Sequence, residues 1–493
     1  MSGWRFGRFS AARRAGARPE SGWASVLTQN SHVLYVALFV SFALAVTVVS
    51  LAIMPEKSRK RAPVSAAQVA HGRSRRAVVS RQKSGNEEAP LLCLYDRNTE
   101  RGKNPTPYQL LKHLPASFCT HLVYGFVSPV DLNGGPSPAH PSQAGPIKDA
   151  ERRIGQMVAL KKFHPTLRVL LGVGGPKVDS QSFSDQLSTE GQRDRFAKRS
   201  VRWLQARRLD GMHVQWMYPG EGNGRPTDRQ NFPKLLSQLR RAFKSQSGSR
   251  WHLTLYLPHD HTQIDRGYEL RNAVNSVHYA VFAAFGFSEP GLAEVTSPLY
   301  NQPPTVEGVS PVNSIHELVL LLLDRGAPSN KLLLGLSATG LSYTLARGQE
   351  GVRAQLREGD GRGRPGPFSA TPGQLAYFEI CYNVYRNGWA RVFNAGTSCP
   401  YAFKGRQWVS YDDADSVRAK VAFVRNRTLA GVALVDVAAD DYMGMCGPKN
   451  VLARTIRSAM GHYASPSDGH AKRSPKTSRQ VKRRQRAWIR QFG

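Results

Sequence analysis

The sequence predicts an α/β fold, a (β/α)8 barrel, and three observations carry that prediction. Eight apolar runs of strand length follow one another after about residue 90. Helical patterns lie between many of them. Together they occupy about 370 residues, enough for one barrel plus an insertion, because eight strand-helix units are what close such a barrel.

In order, the runs are Leu91–Tyr95, His121–Val127, Leu167–Val173, Gly211–Met217, His252–Leu257, His278–Phe285, Lys331–Leu336 and Ala430–Val435. Their length and composition suit the inner strands of a parallel sheet, which are covered on both faces. Arg193–Arg207, Phe232–Phe243 and Ile315–Arg325 carry helical patterns. Ser128–Pro146 is rich in Pro and Gly and reads as a long loop. The gap between the seventh and eighth strands, about 340–412, opens with the Gly/Arg-rich loop Gly348–Pro367 and turns richer in aromatics from Phe368. It reads as an inserted α+β subdomain.

The barrel is expected over 90–463, with basic segments on both sides. The chain carries 68 Lys and Arg against 35 Asp and Glu, a net charge of +33. The N-terminal segment 1–32 and the stalk 55–89 are basic, and so is the tail 464–493. Such ends are either solvated, disordered chain or contacts for polyanions, for example an acidic polysaccharide or an anionic membrane surface. The tail run Lys482-Arg483-Arg484-Gln485-Arg486-Ala487-Trp488-Ile489-Arg490 interleaves charge with Trp488 and Ile489, which suits either polyanion.

Val33–Met54 holds no charged residue and is long enough to span a bilayer as a helix. It is longer than a signal-peptide core and starts some thirty residues in, so a signal anchor is expected. Arginines precede it and Lys57, Arg59, Lys60 and Arg61 follow, so charge alone leaves the orientation open. Arg73-Ser74-Arg75-Arg76 has the R-x-R-R pattern of furin-like processing, with cleavage expected after Arg76. The cysteines are Cys93, Cys119, Cys381, Cys399 and Cys446, without the Cys/His spacing of a zinc site, so no metal or cofactor is expected. Asn426-Arg427-Thr428 is a glycosylation sequon.

The most informative stretch is Leu209-Asp210-Gly211-Met212-His213-Val214-Gln215-Trp216-Met217-Tyr218-Pro219-Gly220. It resembles the active-site strand of family 18 glycoside hydrolases, the chitinases, which is written D-G-x-D-x-D-x-E and often followed by Y-P-G. Other segments resemble the family in order and spacing: Leu170-Leu171-Gly172-Val173-Gly174-Gly175, Gly267-Tyr268-Glu269-Leu270, Ser297-Pro298-Leu299-Tyr300, Leu375-Ala376-Tyr377-Phe378-Glu379-Ile380-Cys381 and Gln407-Trp408-Val409-Ser410-Tyr411-Asp412-Asp413. The likeness runs from about 90 to 460.

The resemblance implies substrate-assisted hydrolysis, in which the sugar's N-acetyl oxygen attacks, a Glu protonates the leaving oxygen and an Asp orients the acetamido group. Here Asp210 matches the first Asp, but the later three acidic positions hold His213, Gln215 and Met217. A thioether has no proton to donate. His213 lies four residues, about 13 Å along a strand, below the acid position. It is expected to pack or hydrogen-bond inside the barrel, and Asp210 to make a structural hydrogen bond. The family's sugar-stacking Trp positions fall at Asn98, Pro176 and Val435. The strand-six M-x-Y-D appears as Phe282-Ala283-Ala284-Phe285, and the Tyr and Arg expected after strand seven are Thr339 and Leu341. The apolar replacements Met217, Phe282, Phe285, Leu341 and Val435 either fill the cleft like core or line a pocket for a different ligand.

The resemblance also implies disulfides Cys93–Cys119 and Cys381–Cys446, and hence an oxidising compartment. Cys399 is then left as a buried thiol or an intermolecular pairing site, the thiol being favoured. The expected protein is a catalytically inactive, chitinase-like, single-pass type II membrane protein with an extracellular or luminal barrel, tethered or shed. It would act by binding an unknown glycan or protein, and not nucleic acid. The alternatives are a residual hydrolase using Glu221 or Glu269 as relocated acid, and a binder of heparan-sulfate-like polyanions through the tail.

Overall fold

The computed structural model describes residues 88–96, 111–130, 132, 147–246, 251–288, 291–301, 314–352, 354–359 and 361–463. The expected span Val33–Met54, the cleavage motif ending at Arg76, Asn98, most of the loop Ser128–Pro146 and the tail 464–493 lie outside the described residues. Among the described residues, no helix is long and apolar enough to cross a membrane.

Eight parallel strands close a barrel. They are β1 (Leu91–Asp96), β2 (His121–Val127), β3 (Arg168–Gly174), β4 (Gly211–Gln215), β5 (His252–Leu257), β6 (Tyr279–Ala283), β7 (Leu332–Ser337) and, after the insertion, β13 (Gly431–Val435). Closure comes from β1 pairing with both β2 and β13. Between strands run α1 (Ile147–Ala159), α2 (Ser180–Leu187), α3 (Glu190–Ala206), α4 (Asp228–Lys244), α5 (His261–Gly267), α6 (Leu270–Asn275) and α7 (Ile315–Asp324). Local chemistry sets the starts: Thr189 and Gln192 form a reciprocal capping box on α3, and Ser314 caps α7.

Strand alternation sorts side chains into two apolar layers. Leu92, Leu94, Val123, Leu170, Val281, Leu333 and Ala433 form the barrel's interior cluster. Their sequence neighbours, such as Cys93, Leu122, Phe282 and Leu334, belong to the outer cluster with helix residues including Phe196, Leu204, Leu235, Leu239, Leu318 and Leu322. Burying each of the larger side chains contributes about 1.5–3 kcal/mol, so this double layer dominates stability.

The barrel floor is polar. Asp210, just before β4, accepts from Lys161 Nζ and from Val169 N, each at 2.8 Å, while its own backbone joins Val169 on one side and His252 on the other. One residue thereby aligns β3, β4 and β5. Next to it Gly211 has φ +144°, and a Cβ there would lie 1.8 Å from His252 O, so glycine is required. Also on the floor, His121 Nε2 sits 3.0 Å from His252 Nδ1, and His252 stacks on His278 with ring centroids 4.3 Å apart.

The insertion is a five-stranded antiparallel sheet of β8 (Thr339–Thr344), β9 (Gln374–Ala376), β10 (Ala390–Asn394), β11 (Cys399–Lys404) and β12 (Gln407–Ser410), ordered β9-β8-β12-β11-β10, with helix α8 (Tyr377–Arg386). The segment Gly348–Pro367, expected to be loop, is partly ordered by backbone pairing. Ala354–Gln355 pairs with Leu292–Ala293, and bridges join Tyr343 to Arg362 and Leu345 to Leu356. Helices α9 (Ala414–Asn426) and α10 (Val451–Met460) flank β13. Asn426 ends α9 and is exposed.

Disulfides join Cys93 to Cys119 and Cys381 to Cys446. Cys399 is a free thiol, buried, with Sγ 3.4 Å from Ser297 Oγ. Burial raises its pKa and keeps it protonated. Beneath it lies a polar knot with no exposure to water: Lys420 pairs with Asp412 and donates to Ser297 Oγ at 2.8 Å, and Ser297 and Ser416 donate to Asp412 at 2.9 and 2.7 Å. Removing one partner of such a pair strands the other charge. Lys420→Met should therefore lower unfolding free energy by about 3–5 kcal/mol, read from denaturant midpoints. The double variant Lys420→Met/Asp412→Leu should recover most of that loss.

Candidate functional site at the barrel mouth

Strand β4 aims alternate side chains inward, so His213 and Gln215 face the interior while Met212, Val214 and Trp216 belong to the outer cluster. The strand expected to reach Met217 ends at Gln215, because beyond it the backbone finds other partners. Gln215 O accepts from Gly175 N at 2.9 Å, Trp216 O from the Tyr268 hydroxyl, and Tyr218 O from Ser180 Oγ. Trp216 is anchored outside the barrel, its Nε1 donating to Ser180 Oγ at 2.9 Å and its ring stacked on Phe183 at 5.0 Å. Ser180 thus holds both sides of the strand exit. Sequence reading gave no sign of it, since its partners lie more than thirty residues away.

His213 is fully buried, with Nδ1 2.9 Å from Thr254 Oγ1 across the β4–β5 pairing. Its Nε2 has no hydrogen-bond partner among the described residues. Desolvation lowers its pKa to about 3, so the ring is neutral at physiological pH. Gln215, also buried, donates from Nε2 to Met217 Sδ at 3.3 Å. That closes the amide and the thioether on each other, and neither group titrates.

Met217, Phe285 and Val435 pack on the interior cluster around Tyr256, Ala283 and Ala433. Burial raises the Tyr256 phenol well above its ordinary range and keeps it protonated. Two of the expected cleft residues stand elsewhere. Phe282 lies on the outer face of β6 and packs under the helices, because alternation separates it from Val281 and Ala283. Leu341 is half-buried in β8 of the insertion sheet, opposite Gln374 and Ser410, outside the interior cluster. Thr339 begins β8, with Oγ1 2.9 Å from Ser337 Oγ. Pro176 is exposed in the turn after β3. Of the candidate acids, Glu221 lies 4.0 Å from Arg266 on α5, and Glu269 accepts from Asn272 on α6 at 3.0 Å.

The family follows from comparison. Residues 91–440 match the family model of glycosyl hydrolases family 18. The chain belongs to glycosyl hydrolase family 18. It is 32% identical over 381 residues to chitotriosidase-1 of Mus musculus, covering 75% of this chain and 77% of that one. It is 30% identical over 366 residues to an endochitinase of Manduca sexta, covering 72% of this chain but 65% of the relative's length. Among solved structures it resembles human YKL-39, a pseudo-chitinase with retained chitooligosaccharide binding, at 25% identity and a TM-score of 0.65, covering 76% of this chain and 100% of that one.

Along β4 and its exit the chain thus places a neutral imidazole at His213, buried inside the barrel, an amide at Gln215 and, just past the strand, a thioether at Met217. His213 carries a pH signature. Its folded pKa is about 3, below the unfolded value near 6.5. Its contribution to stability is therefore complete above about pH 6.5 and is lost as the pH falls toward 3. Each such histidine should cost about 1.4 kcal/mol of unfolding free energy per pH unit within that window. His252 and His278, lowered to about 3 and about 2 by burial and neighbouring positive charge, add to the slope. Urea midpoints at pH 7, 5.5 and 4 should fall steeply for the native protein, and His213→Asn should remove about one proton's worth of slope.

Proposed function

We propose that this family 18 protein is a non-hydrolytic chitinase-like binding protein, held at a membrane or shed from it, with its barrel outside the cytoplasm. The observation that carries the reading is β4 with its exit, where His213, Gln215 and Met217 occupy the three positions that the family fills with Asp, Asp and Glu. Substrate-assisted hydrolysis needs a proton donor at the leaving oxygen and a negative charge beside the acetamido group. A thioether supplies no proton, an amide supplies no charge, and a buried neutral His213 lies about 13 Å below the place where the proton is wanted.

The same positions weaken sugar binding at the mouth. Pro176 and Val435 replace two stacking Trp residues of the family pattern, and a proline or valine cannot present the broad apolar face on which a pyranose stacks. YKL-39 retains chitooligosaccharide binding as a pseudo-chitinase, so a glycan ligand remains the natural class for a barrel of this family, with a weakened grip on chitin itself. The disulfides Cys93–Cys119 and Cys381–Cys446 support an oxidising compartment, and the apolar span supports tethering.

Incubating the purified protein with a fluorogenic chitotrioside should give no release above the blank, with an active family 18 chitinase as reference. Release abolished by Glu221→Gln or Glu269→Gln would identify a relocated acid and overturn the reading. Titration with chitopentaose should give an affinity at least about 100-fold below that of a chitinase-like protein with intact stacking residues, the consequence of losing two aromatic platforms.

A further inference from the structure

On the insertion, away from β4, the Arg-rich segment and the ends of β8, β11 and β12 enclose a hollow of about 510 Å³. Thr344, Arg357, Arg362, Arg364, Lys404 and Arg406 line it, with Gln407 and the backbone of 363–365 as its floor. Among the described residues lining it, five are cationic, none is acidic and none is aromatic. All five cations are exposed, so the hollow presents a positive surface to solvent.

The frame beneath the cations is fixed by polar groups that satisfy one another. Gln407 Nε2 donates to Thr344 Oγ1 at 2.9 Å, while its Oε1 accepts from Arg364 N at 2.8 Å. Thr344 Oγ1 donates in turn to Arg362 O at 3.0 Å, and Thr344 N bonds to Gly361 O at 2.8 Å. Arg406 Nε donates to Leu345 O at 2.7 Å, which orients its guanidinium, and Lys404 Nζ donates to Asn387 O at 2.6 Å. The bridge from Tyr343 to Arg362 secures the Arg-rich segment to β8. The two side-chain bonds orient Arg406 and Lys404, and guanidinium groups grip planar or tetrahedral oxyanions through paired N–H donors.

From this geometry we propose that the insertion carries an anion site for a sulfated acidic polysaccharide, separate from the barrel mouth. The lining decides among polyanions. With no aromatic face it offers no platform for nucleobases or neutral sugars, and with no large apolar side chain it offers nothing to insert into lipid. A volume of about 510 Å³ accommodates a short run of sugar residues. The two disulfides fit the oxidising compartments in which sulfated polysaccharides occur. Arg357, Arg362 and Arg364 stand in the Gly/Arg-rich segment that reads as plain loop in the sequence.

The test uses the full chain in detergent, with heparin as the probe and the basic tail as internal control. The variant Arg357→Gln/Arg362→Gln/Arg364→Gln should weaken heparin binding at physiological salt by about tenfold or more and flatten the salt dependence by two to three ionic contacts. Unchanged thermal unfolding would confirm that this variant is folded, and Arg364→Gln alone, whose backbone carries the Gln407 contact, provides a milder second variant. Fully desulfated heparin should bind the native chain and the triple variant alike. The proposal is overturned if the triple variant retains native affinity, or if Lys482→Gln/Arg483→Gln/Arg484→Gln in the tail abolishes binding by itself. Chitopentaose binding at the mouth is unaffected by either set, so failure here is distinct from failure of the functional reading above.

Discussion

The interior of a closed eight-stranded barrel has a fixed volume, and strand alternation decides which residues must share it. That constraint governs the rest of this molecule. Leu92, Leu94, Val123, Leu170, Val281 and Leu333 fill the inner layer, so whatever stands at 213 and 215 stands among hydrocarbon. A carboxylate there would require a compensating charge or several donors, since an unpaired buried ion is far costlier than a neutral polar group. His213, neutral and bonded to Thr254, and Gln215, turned onto Met217, meet the requirement without any compensating charge. The mouth has thus become compatible with the packing beneath it, and Met217, Phe285 and Val435 extend that packing outward.

The strands were legible because inner-strand runs are short, apolar and bounded by turn residues. His121–Val127 and His252–Leu257 coincide with their strands end to end. Less visible was where a strand stops. Gly211–Met217 is uniform in sequence, yet β4 ends at Gln215 because Ser180, Gly175 and Tyr268 take over its backbone, and such partners are set by the tertiary fold alone. Phe282 was misplaced for another reason: a four-residue motif read as one unit ignores that neighbours on a strand face opposite ways. The family likeness pointed to a structural role for Asp210, but only coordinates supply Lys161 and Val169 as its partners. Composition made Gly348–Pro367 a loop, while its docking on β8 depends on backbone pairs at long range that leave no mark in the sequence.

Two chemically opposite surfaces therefore sit on one scaffold. At the barrel mouth Met217, Phe285 and Val435 pack as apolar groups on the interior cluster, while the insertion gathers cations on a frame of mutually satisfied hydrogen bonds. The disulfide Cys381–Cys446 ties α8 of the insertion to the segment after β13, where Asp441 accepts from the backbone N–H groups of Gly444, Met445 and Cys446. The insertion is thereby braced against the barrel, and its cationic face is carried as a fixed feature of the barrel.

The buried Cys399 thiol bears on how the two disulfides persist. With two disulfides formed, five cysteines leave one sulfur over, and a free thiolate can attack a disulfide and exchange with it. In the folded chain Cys399 on β11 is sealed beside Ser297, with burial holding its proton on. A buried, protonated Cys399 is therefore a poor nucleophile toward either cross-link, and the packing of the insertion sheet protects the disulfides of the whole barrel.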